Sequence, residues 1–418
     1  MSSHSSNVQL GRDYLWNTAA SLMTSAATVI ALIVVTRICG LTVAGLFSLG
    51  LAVGQQFQTL GMYEVRTYHV TDVKYSFSFG TYLSARILTV LGMFAGIVGY
   101  AALSGQADEM VWIIILVASL RLFDAFEDVF YCEFQRSGRL YIGARAAFYR
   151  TLLTTLVFSS AIYFTSDLGI SAAITLAVSL LVMSFLFFPP AYRCFGLVPK
   201  WHKDKIRRLL IDCFPLALAA FFSMYLVNAP RFSIDYFLDA EQQGYFAILF
   251  MPAVAINMLA LVVFRPLLTG MAQQWASAHY SVFFSVIRRG LLATTGAFFV
   301  VILLTLSIGI PVLNWLSQKN IGEYTVELVV LILGGAVNSA GVILYYALTT
   351  MRAQRYVLFA YLVASGAISV LSPVFVAHWG VLGAAGAYTA AMTLLAAVFA
   401  KGIASRYKDI KATGTDND

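Results

Sequence analysis

The feature that most constrains this chain is a series of long apolar runs, each about the length needed to cross a lipid bilayer. A transmembrane helix needs about 20 apolar residues, because the hydrocarbon core of a bilayer is about 30 Å thick. Of the 418 residues, 60% are hydrophobic and only 11% are charged, and the mean hydropathy is +0.80. Soluble domains carry about 25% charged residues. The composition therefore excludes an ordinary soluble domain and indicates an integral membrane protein.

Hydropathy predicts twelve spans, six in each half of the sequence. An even number of spans places both termini on one side of the membrane. The expected fold is thus all-α, a polytopic membrane protein of about twelve transmembrane helices. The first six spans cover residues 14–36, 43–63, 80–103, 110–131, 146–165 and 169–191, and the second six cover 210–229, 243–264, 284–310, 325–350, 356–377 and 381–402.

The positions of lysine and arginine indicate which side holds the termini, because short loops rich in these residues are retained in the cytoplasm. All but five of the 27 basic residues fall on the side of the termini. Both termini are therefore predicted to be cytoplasmic. The net charge of +7 reflects this topology and an attraction to anionic lipid rather than nucleic-acid binding. The exceptions are Arg37, Arg231 and Lys319 on the opposite side, and Arg86 and Arg121 within spans.

The two halves of the sequence repeat one spacing. Gly45 precedes Arg66 by the same number of residues as Gly244 precedes Arg265. Parallel repeats of this kind are related by an axis along the membrane normal. We therefore predict two six-helix halves around a central cavity. The halves are residues 1–192 and 210–403, joined by a cytoplasmic linker at 193–209 and followed by a cytoplasmic tail at 404–418.

Several stretches of the sequence resemble one family of membrane transporters. Residues 228–252, NAPRFSIDYFLDAEQQGYFAILFMP, are similar to the seventh and eighth spans of the bacterial polysaccharide transporters, the Wzx-type oligosaccharide flippases. Residues 61–90, residues 126–150 and the final VLGAAGAYTAA are similar to other parts of this family, over essentially the whole chain. The family belongs to the MATE/multidrug-oligosaccharidyl-lipid-polysaccharide superfamily, which also holds drug/cation antiporters and lipid II flippases.

The resemblance implies a function. A protein of this family moves a polyprenyl-pyrophosphate-linked oligosaccharide from the inner to the outer leaflet of the bacterial plasma membrane, by alternating access, for surface polysaccharide biosynthesis. The expected partners are this substrate, membrane lipid, H⁺ or Na⁺ as a coupling ion, and a polysaccharide polymerase with glycosyltransferases. No cofactor, metal ion or nucleic acid is expected. The sequence shows no catalytic motif, so we expect no enzymatic activity.

Arginines in or at the ends of spans are the candidates for binding the pyrophosphate, because a guanidinium donates bidentate hydrogen bonds to phosphate oxygens. A lipid-facing charge inside a span costs at least about 2.5 kcal/mol. Arg86 and Arg121 are therefore expected to face a wet cavity or the protein interior. The other candidates end spans in repeat-matched pairs, where they could instead extend to the interface or retain a loop. These pairs are Arg37 with Arg231 and Arg66 with Arg265.

Carboxylates in the fourth span are the candidates for coupling transport to an ion. Arg121, Asp124 and Asp128 share one helix face by their spacing, and Glu127 lies beside it. Two interpretations stay open at this point. The stripe either joins helices through ion pairs, or lines a cavity and binds substrate or a cation. Asp124 is the preferred coupling residue, because burial would favour its protonated form.

Two other functions fit the same architecture. A drug/cation antiporter of the same superfamily would bind cationic amphiphiles, and would favour unpaired carboxylates over arginines. A scaffold that only recruits glycosyltransferases would not need the charges in the spans. Because the spans contain both arginines and carboxylates, only the family resemblance favours the flippase.

Overall fold

The structure is a computed structural model, and it describes residues 2–72, 75–256, 271, 273–275, 277 and 279–412. These ranges are almost entirely helical and contain no β-strand. Seven of the described helices are long and apolar enough to cross a membrane. The predicted all-α, polytopic membrane fold is therefore confirmed. Contacts between residues divide the chain into two units, Met1–Met224 and Tyr225–Asp418.

The described part of the first unit consists of six long helices and two short ones. The boundary between the two units falls inside the last of these helices. The helices are α1 (Ser2–Met62), α2 (Val65–Thr71), α3 (Phe79–Leu103), α4 (Asp108–Arg136), α5 (Leu140–Thr165), α6 (Leu168–Leu186), α7 (Phe188–Phe195) and α8 (Lys203–Phe237).

The first two predicted spans lie in α1, which is broken at one glycine. Gly40 has φ 85° and ψ 177°, which are not helical angles. Glycine has no Cβ and reaches a positive φ at little cost. The chain therefore changes direction at Gly40 without a loop, and the break falls in the gap predicted between residues 36 and 43.

The second unit begins in α8 and ends in another broken helix. Gly380, with φ 56° and ψ −132°, separates the last two predicted spans. The tenth predicted span, 325–350, has the same bounds as the helix Thr325–Thr350, which we number α12. Residues 257–264 of the eighth predicted span lie outside the described ranges. The helices are α9 (Ala240–Leu249), α10 (Tyr280–Leu304), a π-helical turn (Thr305–Gly309), α11 (Ile310–Ser317), a 3₁₀ turn (Ile321–Tyr324), α12 (Thr325–Thr350) and α13 (Gln354–Ala412).

Two segments show helix boundaries that hydropathy does not predict. The sixth predicted span, 169–191, is divided into α6 and α7 at Phe187. Pro189 and Pro190 cause this break, because proline lacks the N–H that would continue α6 but is favoured in a first helical turn. Residues 203–209, the end of the predicted linker, form about the first two turns of α8.

Two glycines bring α4 close to α1. Gly50 and Gly54 lie one turn apart on α1. A Cβ at Gly50 would lie 2.8 Å from the Cβ of Val117, and one at Gly54 would lie 2.8 Å from the carbonyl oxygen of Ala118. Small residues at this spacing are typical of tightly packed helices in membranes. The close approach places α4 beside α1 just before the charged stretch that begins at Arg121.

We expect Gly54→Ala to lower the melting temperature of the purified protein in detergent. The added methyl group would overlap the backbone of Ala118, and such overpacking costs about 1–3 kcal/mol. Gly92→Ala on α3 is the matched control, because nothing lies within 4 Å of a Cβ at that position. Alanine there should leave the melting temperature unchanged or raise it. Equal melting temperatures for the two variants, measured by tryptophan fluorescence, would contradict the close packing.

Candidate functional site

Charged side chains on α4 form buried ion pairs with neighbouring helices of the first unit. Neither α4 nor α5 is among the seven strongly apolar helices. A charge in a medium of low dielectric constant is stable only when a partner compensates it. The charges of α4 from Arg121 onward form three clusters, which we name after Asp128, Arg150 and His69.

In the Asp128 cluster, one carboxylate holds two arginines. Oδ1 of Asp128 accepts a hydrogen bond from Nη1 of Arg66 at 2.9 Å, and Oδ2 accepts one from Nη2 of Arg86 at 2.8 Å. Arg86 is 1% exposed and also donates to the carbonyl oxygen of Gly61 at 2.7 Å. The side chain of Arg66, in contrast, is 46% exposed. The cluster therefore joins α2 and α3 to α4, and only its Arg66 end is open.

In the Arg150 cluster, an arginine of α5 holds two carboxylates of α4. Arg150 donates from Nε to Oε2 of Glu127 at 2.5 Å and from Nη2 to Oε1 of Glu127 at 3.0 Å, which is a bidentate pair. Nη2 also donates to Asp124. The other oxygen of Asp124 accepts from Nη1 of Arg121 at 3.0 Å, and Arg121 reaches the hydroxyl of Thr28 on α1 at 3.1 Å. The cluster thus joins α1, α4 and α5.

A cavity of about 100 Å³ lies beside the Arg150 cluster, within the first unit. Arg121, Asp124 and Arg150 line it. A water molecule occupies about 30 Å³ in the liquid, so the cavity has room for a few waters or a small hydrated cation. Glu127 and Asp128 of the α4 stripe thus join helices through ion pairs, whereas Arg121 and Asp124 also line a cavity. The hydroxyl groups that line it belong to Thr24, Thr28, Thr151, Thr154, Thr155, Thr175 and Ser179.

The His69 cluster lies beyond the predicted span 110–131, at the end of α4. Glu133 accepts hydrogen bonds from Nε2 of His69 at 2.7 Å and from Nη2 of Arg136 at 2.8 Å. Burial lowers the pKa of His69, and the hydrogen bond with Glu133 opposes this only in part. Burial alone would raise the pKa of Glu133, but the hydrogen bonds from His69 and Arg136 outweigh it and hold that pKa below its ordinary value. The hydrogen bond between His69 and Glu133 joins α2 to α4.

Arg231 on α8 is the candidate in the second unit. It donates to Oδ1 of Asn228 at 3.2 Å, and its guanidinium carbon lies 4.8 Å from the ring centre of Phe250 and 5.8 Å from that of Phe246. No carboxylate within the described ranges forms an ion pair with it. Aromatic faces stabilise a cation without neutralising it. Arg231 therefore keeps a positive charge that an anion could use.

The remaining two arginines of the prediction lie elsewhere. Arg37 is half-buried on α1, shortly before the break at Gly40. Arg265 lies outside the described residues. The structure thus brings Arg66, Arg86 and Arg121 together with Asp124, Glu127 and Asp128 in the first unit, and places Arg231 in the second.

Arg150 is a site residue that is absent from the sequence-based candidates. The positive charges of the loops predict only that this arginine helps to retain a loop in the cytoplasm. Its place inside the predicted span 146–165 is the signal that identifies it, because a charge at that depth needs a partner. No sequence feature predicts the contact of Arg121 with Thr28, because threonines are common in these helices and nothing distinguishes this one.

Comparison with known proteins shows similarity of fold. No family model matches the sequence, and no curated protein is similar to it in sequence. An inward-facing multidrug resistance MATE family transporter of the MOP superfamily has a TM-score of 0.69 and 14% identity, over 99% of this chain and 100% of that one. Lipid II flippase MurJ, in an inward closed conformation, has a TM-score of 0.67 and 12% identity, over 96% and 93% of the two chains.

A third solved structure extends this similarity. The Vibrio cholerae MATE transporter VcmN, in its bent form, has a TM-score of 0.59 and 12% identity, over 96% of this chain and 99% of that one. At such identities the likeness shows the fold alone. This chain therefore has the fold of the MOP superfamily transporters, a fold that the drug transporters share with the lipid flippase.

We expect Arg150→Gln to destabilise the protein by about 3–5 kcal/mol, because Glu127 would keep a buried charge without its partner. Arg150→Gln combined with Glu127→Gln should recover part of this loss, since both charges are then removed. Denaturant unfolding in detergent of the wild type, the two single variants and the double variant measures the coupling.

Arg145→Gln is the control for this cycle, because Arg145 lies on the same helix and is exposed. It should change the stability by less than about 0.5 kcal/mol. Additive effects of Arg150→Gln and Glu127→Gln would show that the two side chains do not depend on each other, and would contradict the ion pair.

Proposed function

We propose that this protein is a flippase, which moves a polyprenyl-pyrophosphate-linked oligosaccharide from the inner to the outer leaflet of the bacterial plasma membrane by alternating access. The transported lipid would serve surface polysaccharide biosynthesis, with a polymerase and glycosyltransferases as partners and with cytoplasmic termini. Two findings support the proposal. They are the resemblance to the Wzx-type flippases, and a fold shared with a lipid flippase.

The observation that carries the proposal is the charge balance of the spanning helices. Asp124, Glu127 and Asp128 each accept hydrogen bonds from at least one arginine. A carboxylate in such a pair is a poor partner for a cationic drug, because binding the drug would leave a buried arginine uncompensated. Arg231 has no carboxylate partner in the described part of the chain. The available charge is therefore positive, which suits an anionic pyrophosphate.

The candidate arginines take different roles in this proposal. Arg231 binds a phosphate oxygen directly, with Phe250 and Phe246 holding its guanidinium in place. Arg66 is half exposed, so it can exchange Asp128 for a phosphate oxygen. Arg86 is fully buried and acts by holding Asp128. The proposal assigns Arg37, Arg121 and Arg265 to substrate binding as well.

Asp124 is the proposed site of ion coupling, with Glu127 and Asp128 as the further candidates. Its side chain is 18% exposed, and it lines the cavity beside the Arg150 cluster. A proton or Na⁺ that enters the cavity would compete with Arg121 for the carboxylate of Asp124. Release of Arg121 would then make a further guanidinium available to an anionic substrate.

Depletion of the protein in its native host, followed by expression of variants in its place, tests the proposal. Depletion should leave polyprenyl-pyrophosphate oligosaccharides on the cytoplasmic leaflet and remove the surface polymer. Arg231→Gln at normal expression should reduce transport about tenfold, since it loses a charge-assisted hydrogen bond, and Arg231→Lys should retain part of it. Arg289→Gln is the control, because Arg289 is exposed on α10 of the same unit and should support normal polymer.

Each alternative function predicts a different result when the protein is depleted or replaced by a variant. Unchanged lipid intermediates after depletion, together with a new sensitivity to cationic amphiphiles, would contradict the flippase and support a drug/cation antiporter. Normal polymer in a variant that combines Arg121→Ala with Asp124→Asn, when depletion still removes the polymer, would support a scaffold for glycosyltransferases.

A further inference from the structure

A second, larger cavity lies outside the three ion-pair clusters of the first unit. It is a groove of about 570 Å³ beside the start of α8, and Leu88 of α3 contributes to its lining. Leu210, Ile211 and Phe214 of α8 supply further apolar lining. None of the described residues assigned to substrate binding or ion coupling lines this groove. It is therefore a separate feature, which the proposed function leaves unexplained.

The start of α8 is held firmly against the rest of the unit. Ile206, Leu209 and Cys213 lie on one face of α8 and belong to the buried apolar cluster that also contains Phe79. The segment before α8 is fixed too, since the backbone N–H of Lys200 donates to the carbonyl oxygen of Gly80 at 2.9 Å. The groove is thus formed between fixed elements.

Two cations line the groove one helical turn apart, at Lys203 and Arg207. Neither forms an ion pair with a carboxylate in the described ranges. Arg208, on another face of α8, does form one, and its Nε lies 3.9 Å from Oδ2 of Asp212. The cationic end and the apolar end are separated along α8. From Lys203 to Phe214 the helix rises about 16 Å, a length that suits an amphiphile with an anionic headgroup and a long apolar chain.

Trp201 also lines the groove and is 54% exposed. Tryptophan concentrates at the boundary between headgroups and hydrocarbon. Its position just before Lys203 indicates that the cationic end of the groove lies at this boundary. Basic pockets between helices at the membrane surface are suited to anionic lipid headgroups.

We propose that this groove binds one anionic phospholipid of the surrounding membrane. The phosphate lies between Lys203 and Arg207, and an acyl chain lies along Leu88, Leu210 and Phe214. The bound lipid joins the start of α8 to α3, at the membrane face where most basic residues of the sequence are found.

Native mass spectrometry of the full-length protein in detergent, titrated with phosphatidylglycerol, tests this site. We expect one bound molecule, with an affinity about tenfold higher than that for phosphatidylcholine of the same chains. Lys203→Gln with Arg207→Gln should abolish this preference. Lys205→Gln with Arg208→Gln is the matched control, because it removes the same charge from the same turns of α8 but not from the groove. It should change the affinity by less than about twofold.

A variant that fills the groove tests whether an acyl chain of the lipid occupies its apolar end. Ile211 is 58% exposed, so Ile211→Trp can occupy the groove without entering the protein core. It should weaken phosphatidylglycerol binding at an unchanged melting temperature. Equal losses in the two double variants, equal binding of phosphatidylcholine, or unchanged binding by Ile211→Trp would each overturn the proposal. Displacement of phosphatidylglycerol by an equal concentration of polyprenyl phosphate would overturn it in favour of the carrier lipid.

Discussion

Pairing of the charges on α4 is the condition for a stable first unit. This helix carries four ionisable side chains within about two turns of a predicted span, and each is stable there only with a partner. Arg86 of α3 and Arg150 of α5 supply two partners, while Arg121 reaches Thr28 of α1. An ion pair forms only with a helix that places an arginine at the depth of these carboxylates. The contacts therefore also determine which helices pack against α4.

The same pairing determines which side chains stay available for transport. Glu127 and Asp128 are enclosed between helices, whereas Asp124 lines a cavity. Arg231 has aromatic neighbours rather than carboxylates in the described part of the chain. A carboxylate bonded to arginine attracts a second cation weakly, but a guanidinium over aromatic rings keeps its charge for an anion. Charge pairing thus connects the packing of the helices with the proposed preference for an anionic lipid.

Much of the fold can be predicted from the sequence, because each spanning helix is formed by one continuous apolar stretch of the chain. The tenth span has its predicted bounds, Thr325–Thr350, and the break at Gly40 falls in a predicted gap. The sixth predicted span lies within the apolar segment Leu168–Phe195, and only its division at Phe187, which follows from the two prolines of α7, is not indicated by hydropathy. The site is harder to predict. Arg150 and Glu127 are 23 residues apart, and Arg86 and Asp128 are 42 apart, so these pairs depend on how helices pack.

A transport assay with the purified protein distinguishes an anionic lipid from a cationic substrate. The protein would be placed in phosphatidylcholine vesicles with a fluorescent polyprenyl pyrophosphate that carries one sugar, and a membrane-impermeant reagent would report the fraction in the outer leaflet. We expect the protein to move the lipid between leaflets, and polyprenyl pyrophosphate but not a cationic amphiphile to compete. Movement of a cationic amphiphile, with none of the lipid-linked sugar, would contradict the proposed function.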